Sequence, residues 1–124
     1  MAQDRHCVAI VDDDAGVARA LARLLRASSF DPVTYGSARE FLASLPDRVP
    51  DCLLVDFQMP EITGLELQQH LVAASMIIPT IVITGHDTPG TRQRCLSAGA
   101  VAYLLKPIEE AALISAINVA IREA

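Results

Sequence analysis

Three consecutive aspartates, Asp12, Asp13 and Asp14, directly follow the apolar run "VAIV". Two carboxylates ~4 Å apart repel by about 4 kcal/mol at an effective dielectric of ~20, so such a cluster calls for a cation. Other polar residues close three further short apolar runs: Asp56 after "CLLV", Thr84 after "TIVI", and Lys106-Pro107 after "VAYLL". A hard, oxygen-only ligand set with room for water suits Mg²⁺, and Asp12, Asp13 and Asp56 are the candidate ligands. Near these positions His86 is the one histidine and there is no cysteine, which disfavours zinc. Carboxylates, a hydroxyl and an ammonium around Mg²⁺ also describe a site for a phosphoryl group. The metal and Lys106 would neutralise its charge, and Thr84 would hydrogen-bond one of its oxygens. A carboxylate can itself be the nucleophile and form an aspartyl phosphate. Asp14 reads instead as the N-cap of a following helix.

These residues meet only if the chain brings them to one edge. Short β-branched runs alternate with amphipathic stretches. Strands are expected at 7–11, 30–35, 52–55, 80–84 and 101–105, and helices at 15–27, from Ser37 to near Pro46, from the loop "MPEITG" to about Ser75, from 88 to about 98, and at 109–122. Ser37 and Glu40 form an S-x-x-E capping box. Thr88-Pro89 suits an N-cap and first helical position. Pro32 confines the second strand to an edge or to its first residues. Strands apolar throughout and joined by helices imply a parallel sheet covered on both faces. In such sheets ligands bind outside the carboxyl ends of the strands, where the polar residues above fall.

With 124 residues the chain is one domain in size, and it is 52% hydrophobic with no Trp, so its core is aliphatic. A net charge of -5 argues against nucleic-acid binding by this domain itself. No apolar run approaches the ~20 residues of a membrane span, and "MAQDRH" lacks the apolar region of a signal peptide. Cys7, Cys52 and Cys95 are scattered and read as reduced thiols of a cytoplasmic protein.

Taken in order, "IVDDD", "LLVDFQMPEITGLEL", "IVITGH" and "SAGAVAYLLKPI" make the chain resemble a bacterial two-component response-regulator receiver domain over residues 1–124. The resemblance implies a flavodoxin-like (βα)5 sandwich whose five-stranded parallel sheet has the order 2-1-3-4-5. It implies that Asp56 is the phosphoacceptor, that Asp13 binds Mg²⁺ directly and Asp12 through water, and that Gln58 gives its backbone carbonyl to the metal. It implies that Thr84 and Tyr103 are the switch hydroxyl and switch aromatic, with Tyr103 turning inward on activation. It implies that Lys106 contacts the phosphoryl group and that the Lys106–Pro107 bond is cis. Glu61 and Thr63 depart from the residues common in the family at those positions.

The function so implied is a phosphorylation-dependent signalling switch rather than an enzyme with a separate substrate. A histidine kinase or phosphotransfer protein would be the donor. The face made by the fourth helix, fifth strand and fifth helix would control a partner or output, transcriptional by resemblance, and would serve a homodimer. The apolar breadth of the fifth helix fits either a contact or a broad core face. Residue 124 follows that helix at once, so an output domain that binds DNA would lie outside this sequence. The alternative is a receiver-like interaction module that is never phosphorylated. Such a module is expected to lack one of Asp13, Asp56, Thr84 or Lys106, and all four are present. A haloacid-dehalogenase-type phosphatase would need a second Asp two residues after Asp56, where Gln58 stands. A P-loop enzyme would need its Gly-rich Lys motif, which is absent.

Overall fold

The computed structural model describes residues 5–122. Five strands and five helices alternate: β1 Cys7–Val11, α1 Ala15–Ala27, β2 Asp31–Tyr35, α2 Ala38–Ser44, β3 Cys52–Asp56, α3 Gly64–Ala73, β4 Thr80–Thr84, α4 Thr91–Ser97, β5 Ala100–Leu105 and α5 Glu110–Arg122. The strands form one parallel sheet in the order β2-β1-β3-β4-β5. This is the flavodoxin-like sandwich expected from the sequence.

Successive residues of a strand point to opposite faces of the sheet, and the core divides accordingly. Ala9, Val11, Leu53, Val55 and Val82 pack under α2, α3 and α4 with Phe41, Leu67 and Leu71. Val8, Ile10, Leu54, Ile81 and Ile83 pack under α1 and α5 with Leu21, Leu25, Leu113 and Ile117. The three inner strands are buried along their whole length, which is why they read as continuous apolar runs. The expectation of strands apolar on both faces fails at the edges, where β2 and β5 are only partly covered. Pro32 is tolerated because β2 has a single neighbour.

Helix ends hold the other differences. Asp14 caps α1, its carboxylate accepting from the amides of Gly16 and Val17. Ser37 caps α2 by accepting from the Glu40 amide, but the expected reciprocal arm is displaced: Glu40 accepts from Gly36, one residue earlier. A full capping box does occur, unforeseen, at Thr63 and Glu66 of α3. The fourth helix does not start at Thr88-Pro89. Its N-cap is Gly90 in the left-handed region (φ 83°), and Thr88 instead pairs its hydroxyl with Thr91. A positive φ costs Gly little, so the chain turns there rather than at the preceding proline. On α5, Leu113, Ile117 and Ala120 are buried and Ile114 and Ile121 pack against the same core, so its apolar breadth is mainly core face.

Candidate functional site

The carboxyl ends of β1, β3, β4 and β5 bring the candidate residues together. Asp12 follows β1, with its amide donating to the Tyr35 carbonyl at 3.1 Å, and its Oδ1 accepts from the Asp14 amide at 2.9 Å. Asp56 ends β3, and the next amide, Phe57, donates to Ile83 on β4. The Lys106 amide donates to the Thr84 carbonyl at 2.8 Å, which ties the end of β5 to the end of β4. The Lys106–Pro107 bond is cis, as the resemblance implies.

Carboxylate oxygens of Asp12, Asp13 and Asp56 lie within 4.8 Å of one another, a cluster that could hold a metal ion. Asp12 and Asp56 are 1% and 6% exposed, whereas Asp13 is open to solvent. The Lys106 ammonium donates to Asp12 Oδ2 at 3.3 Å and stands 3.6 Å from Asp56 Oδ2. Burial pushes the Asp56 carboxyl above its ordinary range, the neighbouring Asp12 charge adds to this, and Lys106 opposes it. The Gln58 amide donates to Asp56 Oδ1 at 3.4 Å, and its side chain is exposed.

Thr84 is fully buried, and its hydroxyl is engaged by the backbone of His86. It donates to the His86 carbonyl at 3.2 Å and accepts from the His86 amide at 3.1 Å. Tyr103 does not project outward. It is 5% exposed and donates its hydroxyl to Asp87 Oδ1 at 2.8 Å. Burial first, and then Asp87, push its phenol up to about 12.

Two residues of the site's frame were not singled out from the sequence. Gly64 lies where an added Cβ would stand 3.0 Å from the Asp56 carbonyl and the Phe57 Cα, so a side chain there would push on the backbone directly after the site. Asp87 is an ordinary loop aspartate in sequence, and only the fold sets it against Tyr103. An apolar cleft of about 570 Å³ between α3 and α4 holds none of the site carboxylates. Another of about 560 Å³ borders the site, lined by Val17, Ala20, Leu21, Leu24, Lys106 and Pro107.

Residues 8–118 match the response regulator receiver domain family, and the chain belongs to that family. It is a module of phosphorylation-dependent signalling. It is 38% identical to the transcriptional regulatory protein FixJ of Rhizobium meliloti over 91% of this chain and 55% of that protein. It is 36% identical to nodulation protein W of Bradyrhizobium diazoefficiens, over 94% of this chain and 51% of that one. A crystal structure of FixJ-N superposes with a TM-score of 0.89 at 37% identity, covering 99% of this chain and 98% of that one. The chain thus spans about half the length of the curated relatives it matches. No helix among the described residues is long and apolar enough to cross a membrane.

Proposed function

We propose that this chain, taken as one receiver unit over 1–124, accepts a phosphoryl group on Asp56 from the phosphohistidine of a histidine kinase or phosphotransfer protein. The observation that carries the reading is the Lys106 ammonium standing between the buried carboxylates of Asp12 and Asp56. The donor set fits Mg²⁺: it is all oxygen, it is clustered within one ion's reach, and on the Asp13 side it is open for water and substrate. Asp12, Asp13, Asp56 and the Gln58 carbonyl would hold the ion, which when bound supplies positive charge against the phosphoryl oxygens.

The chain's own residues account for the rest. An Asp56 carboxylate oxygen attacks phosphorus in line. The new P–O bond forms as the P–N bond to the donor imidazole breaks, and that nitrogen keeps the electron pair and takes up a proton. Lys106 pairs with a phosphoryl oxygen and so leaves its contacts with the bare carboxylates. Thr84 turns its hydroxyl from His86 toward the new oxygens. Tyr103, already inward, then has a settled place, so the modification biases a two-state equilibrium. The apolar cleft beside Lys106 offers the donor a docking surface at the edge of the site. The chain catalyses only its own phosphorylation and dephosphorylation.

By analogy with relatives whose names call them transcriptional regulators, the output is transcriptional and works in the cytoplasm. Val101 and Leu105, each 50% exposed on edge strand β5, together with Val119 on α5, support a homodimer through α4, β5 and α5. The test is intact mass after incubation with a small-molecule phosphodonor and Mg²⁺, beside Asp56→Asn. One phosphoryl adduct that requires Mg²⁺ and is absent from the variant is expected. Absence of any adduct, with no binding of a beryllium fluoride mimic, would leave only an interaction module.

A further inference from the structure

Gln68 occupies a core position of α3, alongside Gly64, Leu67 and Leu71, and is 3% exposed. Its Nε2 donates to the Cys95 carbonyl of α4 at 3.1 Å across 27 residues of chain. Its Oε1 is buried with no hydrogen-bond partner among the described residues. A buried amide satisfied at only one end costs stability that an apolar side chain of similar size would not. A polar residue that breaks the core pattern in this way marks a position kept for something other than packing.

What the amide holds is a short helix anchored to the core by Cys95 and Leu96. α4 has seven residues and buries only Thr91 and Cys95. At its last turn Ala98 donates to the Arg94 carbonyl and Gly99 to the Leu96 carbonyl. The intervening Cys95 carbonyl is taken by Gln68 instead. A cavity of about 140 Å³, lined by Gln68, Leu71, Ile78, Thr80, Ala98 and Gly99, lies beside this contact. The end of α4 therefore has room to shift without first opening the core. The opposite end of α4 continues into residues 85–90, where His86 engages both hydrogen-bonding capacities of the Thr84 hydroxyl.

We propose that Gln68 is a positioning residue for the switch. Its amide tethers the C-terminal end of α4 to α3, and through α4 it holds the 85–90 loop whose His86 backbone occupies the Thr84 hydroxyl. Breaking the tether frees α4 and raises the fraction of molecules whose Thr84 hydroxyl is released from His86 and free to reach the phosphoacceptor. A reaction that draws on that fraction speeds up in proportion. The second half of this statement rests on Asp56 being the phosphoacceptor; the tether itself does not.

The experiment uses the full chain and two apolar variants of different shape, Gln68→Met and Gln68→Leu. Neither can donate to Cys95, while a mere packing fault would differ between them. Amide hydrogen exchange is followed residue by residue without phosphodonor, and the rate of adduct formation is measured with a small-molecule phosphodonor and Mg²⁺. Both variants are expected to exchange residues 91–99 about tenfold faster, with α1 and β1 unchanged, and to form the adduct several-fold faster. Exchange at 91–99 that is unchanged, or that rises equally throughout the molecule, overturns the tether. Faster exchange at 91–99 with an unchanged adduct rate overturns the coupling to Thr84. If no adduct forms even in the parent chain, the phosphoacceptor reading fails, and the exchange data still judge the tether.

Discussion

At the scale of single residues, Asp56 is held in a setting that disfavours its own charge. It is buried beside Asp12, and Lys106 offsets this only in part because the one ammonium is shared between two carboxylates. Its pKa lies above the ordinary 3.8, so the folded state binds more protons than the unfolded chain above that value, and without metal stability falls as pH rises through that window. Asp56→Asn removes the charge and leaves the Lys106–Asp12 contact. In the absence of Mg²⁺ it should melt higher at neutral pH and lose this pH dependence. Thermal unfolding across a pH series checks both. Tyr103 has the same sign at the alkaline end. Its phenol, raised from 10.0 to about 12, makes stability fall as pH climbs through that interval. Asp87→Asn should lower the titration only in part, because burial remains, as read from the ultraviolet absorbance of tyrosinate.

At the scale of elements, helix ends decide most of what is specific. Asp14 directs its carboxylate to the amides of Gly16 and Val17 and is not part of the metal-capable cluster of Asp12, Asp13 and Asp56. Asp14→Ala should therefore cost about 1 kcal/mol of stability and leave Mg²⁺ affinity within twofold. Denaturant unfolding and metal titration of the same variant separate the two roles, and a large loss of affinity would place Asp14 among the ligands. α4 shows the limit of local reading. Thr88-Pro89 has good capping chemistry, yet the helix starts after Gly90, because a residue that reaches positive φ at low cost lets the loop turn later. Glu61 takes the opposite course: it holds φ 67° without being glycine, and its carboxylate lies 3.6 Å from Arg39 of α2. Glu61→Gly should relieve that conformation with little loss from so exposed an ion pair.

At the scale of the molecule, the parallel sheet is the device that turns scattered residues into a site. Every strand runs the same way, so every strand end reaches one edge. The edge strand β5 also presents Val101 and Leu105 to solvent, while α5 spends most of its apolar surface on the core. If the homodimer forms through this face, Val101→Asp should abolish it without altering the melting temperature by more than a degree or two. Light scattering with and without the beryllium fluoride mimic reads the outcome, and unchanged dimerisation would place the contact elsewhere.

The alternation of strand and helix, the confinement of Pro32 to an edge or a strand start, the cap at Asp14 and the placing of Asp12, Asp13, Asp56, Thr84 and Lys106 at strand ends were all legible in the sequence. Each follows from a local pattern: hydrophobic period, ring constraint, a short acceptor before a helix, or a polar residue closing an apolar run. Only the tertiary structure decided that Tyr103 lies inward against Asp87, that the chain after Asp56 packs closely over Gly64, and that Gln68 reaches Cys95. Those facts depend on distances between residues far apart in the chain. A pattern along one strand or helix carries its own periodicity, and it holds no record of which side chain on a neighbouring element will stand opposite.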